Sequence, residues 1–280
     1  MNDYVIESVR KSSDIVELFS DYAKVKRQSG EIFVVCPFHA EKTPSLHVEP
    51  SGDIFTIPMK LEGLGFIDAV QYVADRFNLE IDSDLDDDAH AAREEMKKAL
   101  NVAHHYFSSA ISHPDAAAYL AKRQVSKETI KRWELGYCSS SSNGIVQTLR
   151  DHNLIDAAVN AGILRVSFGS PSCVFVNRIV FPIRNKIGQL VSFAGRDISG
   201  NAKAKYINGK ETTLYNKSSI LFGLSKAIPS IRDWNRVILV EGYFDVIALH
   251  QAEVSEAVAA CGTALTKDHV KLFSKLTDKA

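Results

Sequence analysis

Apolar positions along the first eighty residues switch period more than once. Ser12, Ser13 and Asp14 stand before apolar residues at Ile15, Val16, Leu18 and Phe19, so a short capped helix is predicted to start there. Glu31 to Cys36 and Ser45 to Val48 are β-rich runs on either side of a turn-prone stretch from Pro37 to Pro44, which predicts a small sheet. Phe66, Ile67, Val70, Val73 and Phe77 return to helical spacing. Asp82 to Asp88 is acidic and lacks any apolar period, so it reads as a solvated linker. A long helical pattern runs from Ala89 to about Ser112, and two shorter helices meet near Val125 and Ser126, with Ser126 and Thr129 as capping candidates.

Beyond Gly136 the texture turns to strands. Val174 to Arg184 and Leu190 to Phe193 are strand-like, with Asn185 to Gly188 as the turn between them. Arg236 to Val240 is a continuous apolar run, followed by Gly242 and by helical spacing at Phe244, Val246, Ile247 and Leu249. This predicts a strand–turn–helix unit of the buried parallel type. A second such unit is expected from Glu256 to Ala260, through Cys261, Gly262 and Thr263, into a helix from Lys267 to Leu276. The chain has no internal repeat.

Composition narrows the class. With 280 residues and 45% hydrophobic positions, the chain is long enough for about two cores and is not of the disordered or fibrous classes. No apolar run approaches the roughly 20 residues of a membrane span, and the charged N-terminus lacks the apolar core of a signal peptide. A cytoplasmic protein without a membrane partner is expected. Cys36, Cys138, Cys173 and Cys261 are scattered with no CxxC pair, which argues against a disulfide scaffold. A net charge of −1 means that any nucleic-acid surface must gather its positive charge locally.

Three groups of residues carry candidate chemistry. Cys36 and His39 have the spacing of two zinc ligands in a tight turn, but they are half a site, and His47 is the nearest further candidate. The plain alternative is a turn with a buried thiol. Glu241 follows an apolar strand, with Gly242 for the turn and Asp245 four residues on, at the sheet edge where α/β proteins bind ligands. Carboxylates there can hold Mg²⁺ or Mn²⁺ against phosphates, or simply cap the next helix. Arg178, Arg184, Arg196, Lys203, Lys205 and Lys217 interleave with Phe181, Phe193, Tyr206 and Tyr215, a combination that suits a phosphodiester backbone with stacked bases. His104 and His105 read as an exposed pair.

Taken together, these residues resemble the bacterial-type (DnaG-like) DNA primases. The resemblance runs through Asp14 to Glu17, Cys36 to Ser45, Tyr119 to Arg123 with Trp133 to Gly136, Arg178 to Arg184, Phe193 to Arg196, Lys205 to Asn208, and Val240 to Leu249 with Gly262 and Thr263. It implies an α+β chain in which a small zinc-ribbon-like β domain joins a mixed α/β primase core with an incomplete Toprim subdomain. The boundaries implied are 1–82 for the ribbon, 83–115 for an acidic linker and helix, 116–234 for the N-terminal part of the core and 235–280 for the start of Toprim. By the same resemblance Glu241 is a catalytic and metal-binding acid and Asp245 its companion, with Mg²⁺ or Mn²⁺ as cofactor. Arg123, Arg178, Arg196, Lys205, Asn208 and Lys217 are implied to contact nucleic acid or nucleotide. The implied activity is synthesis of short RNA primers on single-stranded DNA from ribonucleotides, with a replicative helicase as a partner through a C-terminal region that is missing from this chain.

Two departures qualify it. Ile57 and Lys60 stand where the family has its second zinc-binding Cys pair, so a zinc-free ribbon is expected. The later Toprim acids are absent before Ala280, which predicts either a piece of a longer polypeptide or a shortened product impaired in catalysis. The competing reading is a non-catalytic primase-like module that binds single-stranded DNA or a replication partner. Another Toprim enzyme, such as a topoisomerase or nuclease, is disfavoured by the primase-like upstream blocks.

Overall fold

The structure, a computed structural model, describes residues 3–23, 25–28, 31–35, 44–48, 53–62, 64–79, 87–262, 264–274 and 276–277. The chain divides into two compact units, Met1–His90 and Ala91–Ala280.

In the first unit, α1 (Asp3–Ser12) and α2 (Ile15–Ser20) precede an antiparallel sheet of β1 (Val25–Gln28), β2 (Glu31–Val35) and β3 (Pro44–His47). Helices α3 (Thr56–Glu62) and α4 (Phe66–Arg76) follow. The Asp14 carboxylate caps α2 by accepting from the amides of Val16 and Glu17 at 2.7 and 3.2 Å, as its place before the apolar run predicts. One apolar cluster joins Leu18, Val34, Phe55, Ile57, Leu61, Val70 and Val73. At its margin Arg76 grips Asp21 through Nε and Nη2 at 2.6 and 3.1 Å, tying the end of α4 to the end of α2. Beside them Tyr22 donates to the Tyr72 hydroxyl at 2.8 Å, and burial pushes the Tyr72 hydroxyl up to about 12. Helix α3 is a feature the apolar pattern did not announce.

The second unit opens with most of α5 (Asp87–Ser109), whose inner stripe of Met96, Ala99, Leu100, Ala103 and Phe107 repeats at three or four residues and is buried throughout. Then come α6 (Pro114–Lys122) and α7 (Lys127–Arg132), with Ser126 accepting from the Thr129 amide at 3.1 Å as α7's cap. Next are β4 (Gly136–Cys138), α8 (Asn143–Asp151), α9 (Ile155–Asn160) and the hairpin of β5 (Leu164–Ser167) and β6 (Ser170–Cys173). Strands β7 (Arg178–Arg184), β8 (Leu190–Asp197) and β9 (Tyr206–Asn208) complete an antiparallel sheet in the order β4-β7-β8-β9. The chain then forms β10 (Leu221–Phe222), α10 (Leu224–Trp234), β11 (Ile238–Val240), α11 (Tyr243–Gln251), β12 (Ala257–Ala260) and α12 (Lys267–Ser274). Strands β11 and β12 are parallel, as the strand–turn–helix pattern predicts, and β10 adds antiparallel to the other side of β12.

Three expectations need correction. The strand over Val174–Arg184 begins only at Arg178, because residues 174–177 turn to bury Phe175. Strand β11 is not buried: it is the outer strand of its sheet, and Leu239 is 36% exposed, while the inner place falls to β12. His104 is half-buried rather than exposed, stacked on Phe193, and burial pulls its pKa below the usual histidine value; His105 alone faces solvent. The free thiols of Cys138 and Cys173, far apart in sequence, are both buried in one apolar cluster.

Candidate nucleic-acid and metal-binding site

Glu241 and Asp245 sit where strand β11 passes into α11, and both are exposed. Asp245 lies in the first turn of the helix, where the amide dipoles favour an anion. Two carboxylate oxygen donors in water suit a hard divalent cation that keeps part of its hydration shell. Among the described residues no group of three or more metal-ligating side chains occurs.

Two arginines from other elements arrive beside this turn. Arg123, the C-cap of α6, lies over the Phe244 ring at 4.6 Å, and its Nε donates to the Tyr119 hydroxyl at 2.9 Å. Arg196 on β8 donates its own Nε to that same hydroxyl at 2.9 Å and lies over the Tyr206 ring at 5.0 Å. Burial pushes the Tyr206 hydroxyl up, against the pull of Arg196 and Arg123 and with smaller contributions from Tyr119 and Asp245. The two arginines, two tyrosines and Asp245 therefore lie within electrostatic reach of one another. Neither Tyr119 nor Phe244 stands out in the sequence as a site residue; the available signal was the spacing of Tyr119 four positions before Arg123 on one helix face.

The remaining basic residues divide into two kinds. Lys205 is exposed just before β9, and Lys203 is exposed two residues earlier. Arg178, expected to contact nucleic acid, is only 7% exposed and donates to the carbonyls of Ala204 and Lys205 at 3.1 and 3.4 Å. Burial pulls its pKa down. It braces the loop that carries the lysines and does not offer its charge to a ligand. Arg184 is similarly engaged, with Nε and Nη2 on Glu134 at 3.0 and 2.7 Å and Nη1 on the Gly188 carbonyl at 2.8 Å. Lys217 is half-buried in a segment fixed by α12: buried His269 donates Nε2 to the Lys217 carbonyl at 2.9 Å and accepts the Thr266 amide on Nδ1 at 3.2 Å.

Asn208, at the end of β9, accepts a hydrogen bond from the Tyr243 hydroxyl through Oδ1. Its other side lies against Gly262, which has φ +75°, and a Cβ there would stand 2.0 Å from Asn208 Nδ2. Glycine is required on both counts, backbone conformation and close approach.

Three family models match in succession: the CHC2 zinc finger over residues 1–89, the DNA primase catalytic core N-terminal domain over 104–228 and the Toprim domain over 235–279. The chain belongs to the DnaG primase family. It is 33% identical to the DNA primase of Listeria monocytogenes over 99% of its own length and 48% of that protein's, so it spans about half the length of the curated relatives it matches. The crystal structure of the Aquifex aeolicus primase zinc-binding and RNA polymerase domains matches with a TM-score of 0.65 at 28% identity, covering 99% of this chain and 71% of that one. A DnaG primase catalytic domain bound to single-stranded DNA matches with a TM-score of 0.62 at 32% identity, over 69% of this chain and 63% of that one. The Toprim match implies divalent-metal binding.

The zinc-finger match meets a poor donor set. A closed site needs four ligands, and residues 1–89 hold one cysteine, Cys36, and two histidines, His39 and His47. Cys36 and His39 lie outside the described residues. His47 is exposed on β3 with its ring 5.5 Å from that of Phe33. Ile57 and Lys60 lie on α3, with Ile57 2% exposed in the apolar cluster and Lys60 in solvent. These residues do not fit zinc. No helix among the described residues is long and apolar enough to cross a membrane.

Proposed function

We propose that this chain is the zinc-ribbon-like and first catalytic-core portion of a DnaG-type primase, acting in template-directed synthesis of short RNA primers on single-stranded DNA. The observation that carries this reading is the meeting of Arg123 and Arg196 beside the turn that bears Glu241 and Asp245. Positive charge for a phosphate backbone and oxygen donors for a divalent cation thereby fall on one side of the same unit. Arg123, Arg196, Lys205 and Lys217 bind phosphates of template or nucleotide, and the Tyr206 and Phe244 rings back the arginines. Asn208, oriented by Tyr243, faces the same region, and Arg178 holds the Lys205 loop in place. Glu241 and Asp245 hold Mg²⁺ or Mn²⁺, which supplies neutralisation of phosphate charge and activation of the attacking 3′-hydroxyl.

Binding is tested through salt. Replacing Lys205 and Lys217 together by Ala is expected to weaken single-stranded DNA binding and to flatten log Kd against log salt by roughly 0.7 per lost phosphate contact. Fluorescence anisotropy between low and moderate salt measures this, and an unchanged slope would move the DNA path away from these lysines.

The N-terminal unit folds without zinc in this reading, its cluster around Phe55, Ile57 and Leu61 taking the stabilising role of a metal. Chelator-washed protein is expected to hold well under one zinc per chain and to melt at the same temperature with and without EDTA. Equimolar zinc by elemental mass spectrometry would overturn the zinc-free reading.

A second reading keeps DNA binding but not polymerisation. What favours it is that Glu241 and Asp245 are joined by no third metal-ligating side chain among the described residues.

A further inference from the structure

Tyr119 stands at an unusual junction. Its hydroxyl accepts the Nε protons of both Arg123 and Arg196, each at 2.9 Å, from helix α6 and strand β8 respectively. A phenolic oxygen accepts through its lone pairs and carries one proton. With two guanidiniums donating to it, that proton must turn away from both cations and is left to donate outward. Two like charges held on one oxygen repel, and the repulsion is reduced by the Phe244 and Tyr206 faces at 4.6 and 5.0 Å and by an anion brought between them. Arg196 also has a buried Nη1 without a hydrogen-bond partner. Arg123, by contrast, is exposed and would be free to swing if nothing fixed its Nε.

From this geometry we infer that Tyr119 is a positioning residue whose hydroxyl locks Arg123 and Arg196 side by side as a single two-arginine seat for one phosphate group. The inference deepens the proposed binding of a nucleic-acid phosphate and rests on that reading. The seat differs from two independent basic contacts in a measurable way. With its Nε occupied, exposed Arg123 keeps both Nη atoms for a phosphate, and Arg196, whose Nη1 is buried, keeps Nη2, so the hydroxyl preorganises both charges before ligand arrives. Removing the hydroxyl leaves both charges present but loosens their relative orientation. The contributions of Tyr119, Arg123 and Arg196 must then be coupled rather than additive.

The test is a mutant cycle on single-stranded oligodeoxynucleotide binding with the full chain. Tyr119→Phe keeps the ring and its contacts with Arg123 and Phe244, so its melting temperature serves as the folding control. It is expected to raise Kd by about fivefold, the scale of one ordinary hydrogen bond. It should leave the salt slope nearly unchanged, since no charge is lost. Arg123→Ala and Arg196→Ala should each weaken binding, lower the salt slope, and abolish most of the effect of adding Tyr119→Phe. If both arginine variants weaken binding and Tyr119→Phe does not, or if its fivefold loss persists in the arginine backgrounds, the positioning role is wrong while the binding reading stands. If none of the three changes Kd, the binding reading fails with it.

Discussion

Glu241→Gln is expected to lower ribonucleotide incorporation on single-stranded DNA by about a hundredfold or more, the scale of loss when one group directed at developing charge is removed. Single-stranded DNA affinity should be unchanged or higher. The substitution keeps the size of the side chain and removes a negative charge beside a basic surface, so it separates the two readings. Glu241 is exposed at the end of β11 and has only Asp245 as an acidic companion at this turn. Losing one of two carboxylates should cost most of the cation affinity that the turn supplies. Short RNA products made by the wild-type chain with Mg²⁺ or Mn²⁺, and absent from the variant, would support catalysis by the residues present. Wild-type and variant proteins that both fold and bind DNA yet make no product would sink the catalytic reading for this chain and leave the binding module.

The second large effect concerns the scaffold. Phe107→Ala should destabilise the second unit by about 3–5 kcal/mol, the usual cost of emptying a buried phenylalanine site. Phe107 is 1% exposed and meets Phe193 and Phe175 edge to face at 5.4 and 6.2 Å between ring centroids. Strand β4 also presses against it: a Cβ on Gly136 would lie 2.5 Å from the Phe107 Cβ. The ring thus joins α5 to the sheet that carries Arg178 and Arg196. For a unit of this size the melting temperature should drop by roughly 10 °C. Calorimetry on the full chain measures it, and a drop of under about 3 °C would mean that the cavity collapses and that this contact is not central.

Much of the architecture is local enough to be read from pattern. Asp14 and Ser126 cap the helices their positions announce, because a short polar side chain before an apolar helical run has few better uses. The Arg236–Leu249 pattern yields a strand, a turn and a helix because period and glycine both specify it. Other elements left little trace. Helix α10 contains Pro229, strands β9 and β10 are three and two residues long, and α3 is one short helix with a proline inside it. Such pieces owe their form to what they pack against.

The candidate site divides along the same line. A count of the first 89 residues establishes that they lack four good zinc ligands, since no arrangement can supply thiols that are absent. Sequence also determined that basic and aromatic residues gather between Arg178 and Lys217, and that carboxylates flank the Gly242 turn. It could not decide which positive charges are available. Arg178 and Arg184 are consumed by carbonyls and by Glu134, whereas Arg123 and Arg196 meet on Tyr119 from places 73 positions apart. A charge is a property of a residue and is written in the chain; whether it is free depends on the partners that folding brings within hydrogen-bonding distance, and only the tertiary structure supplies those.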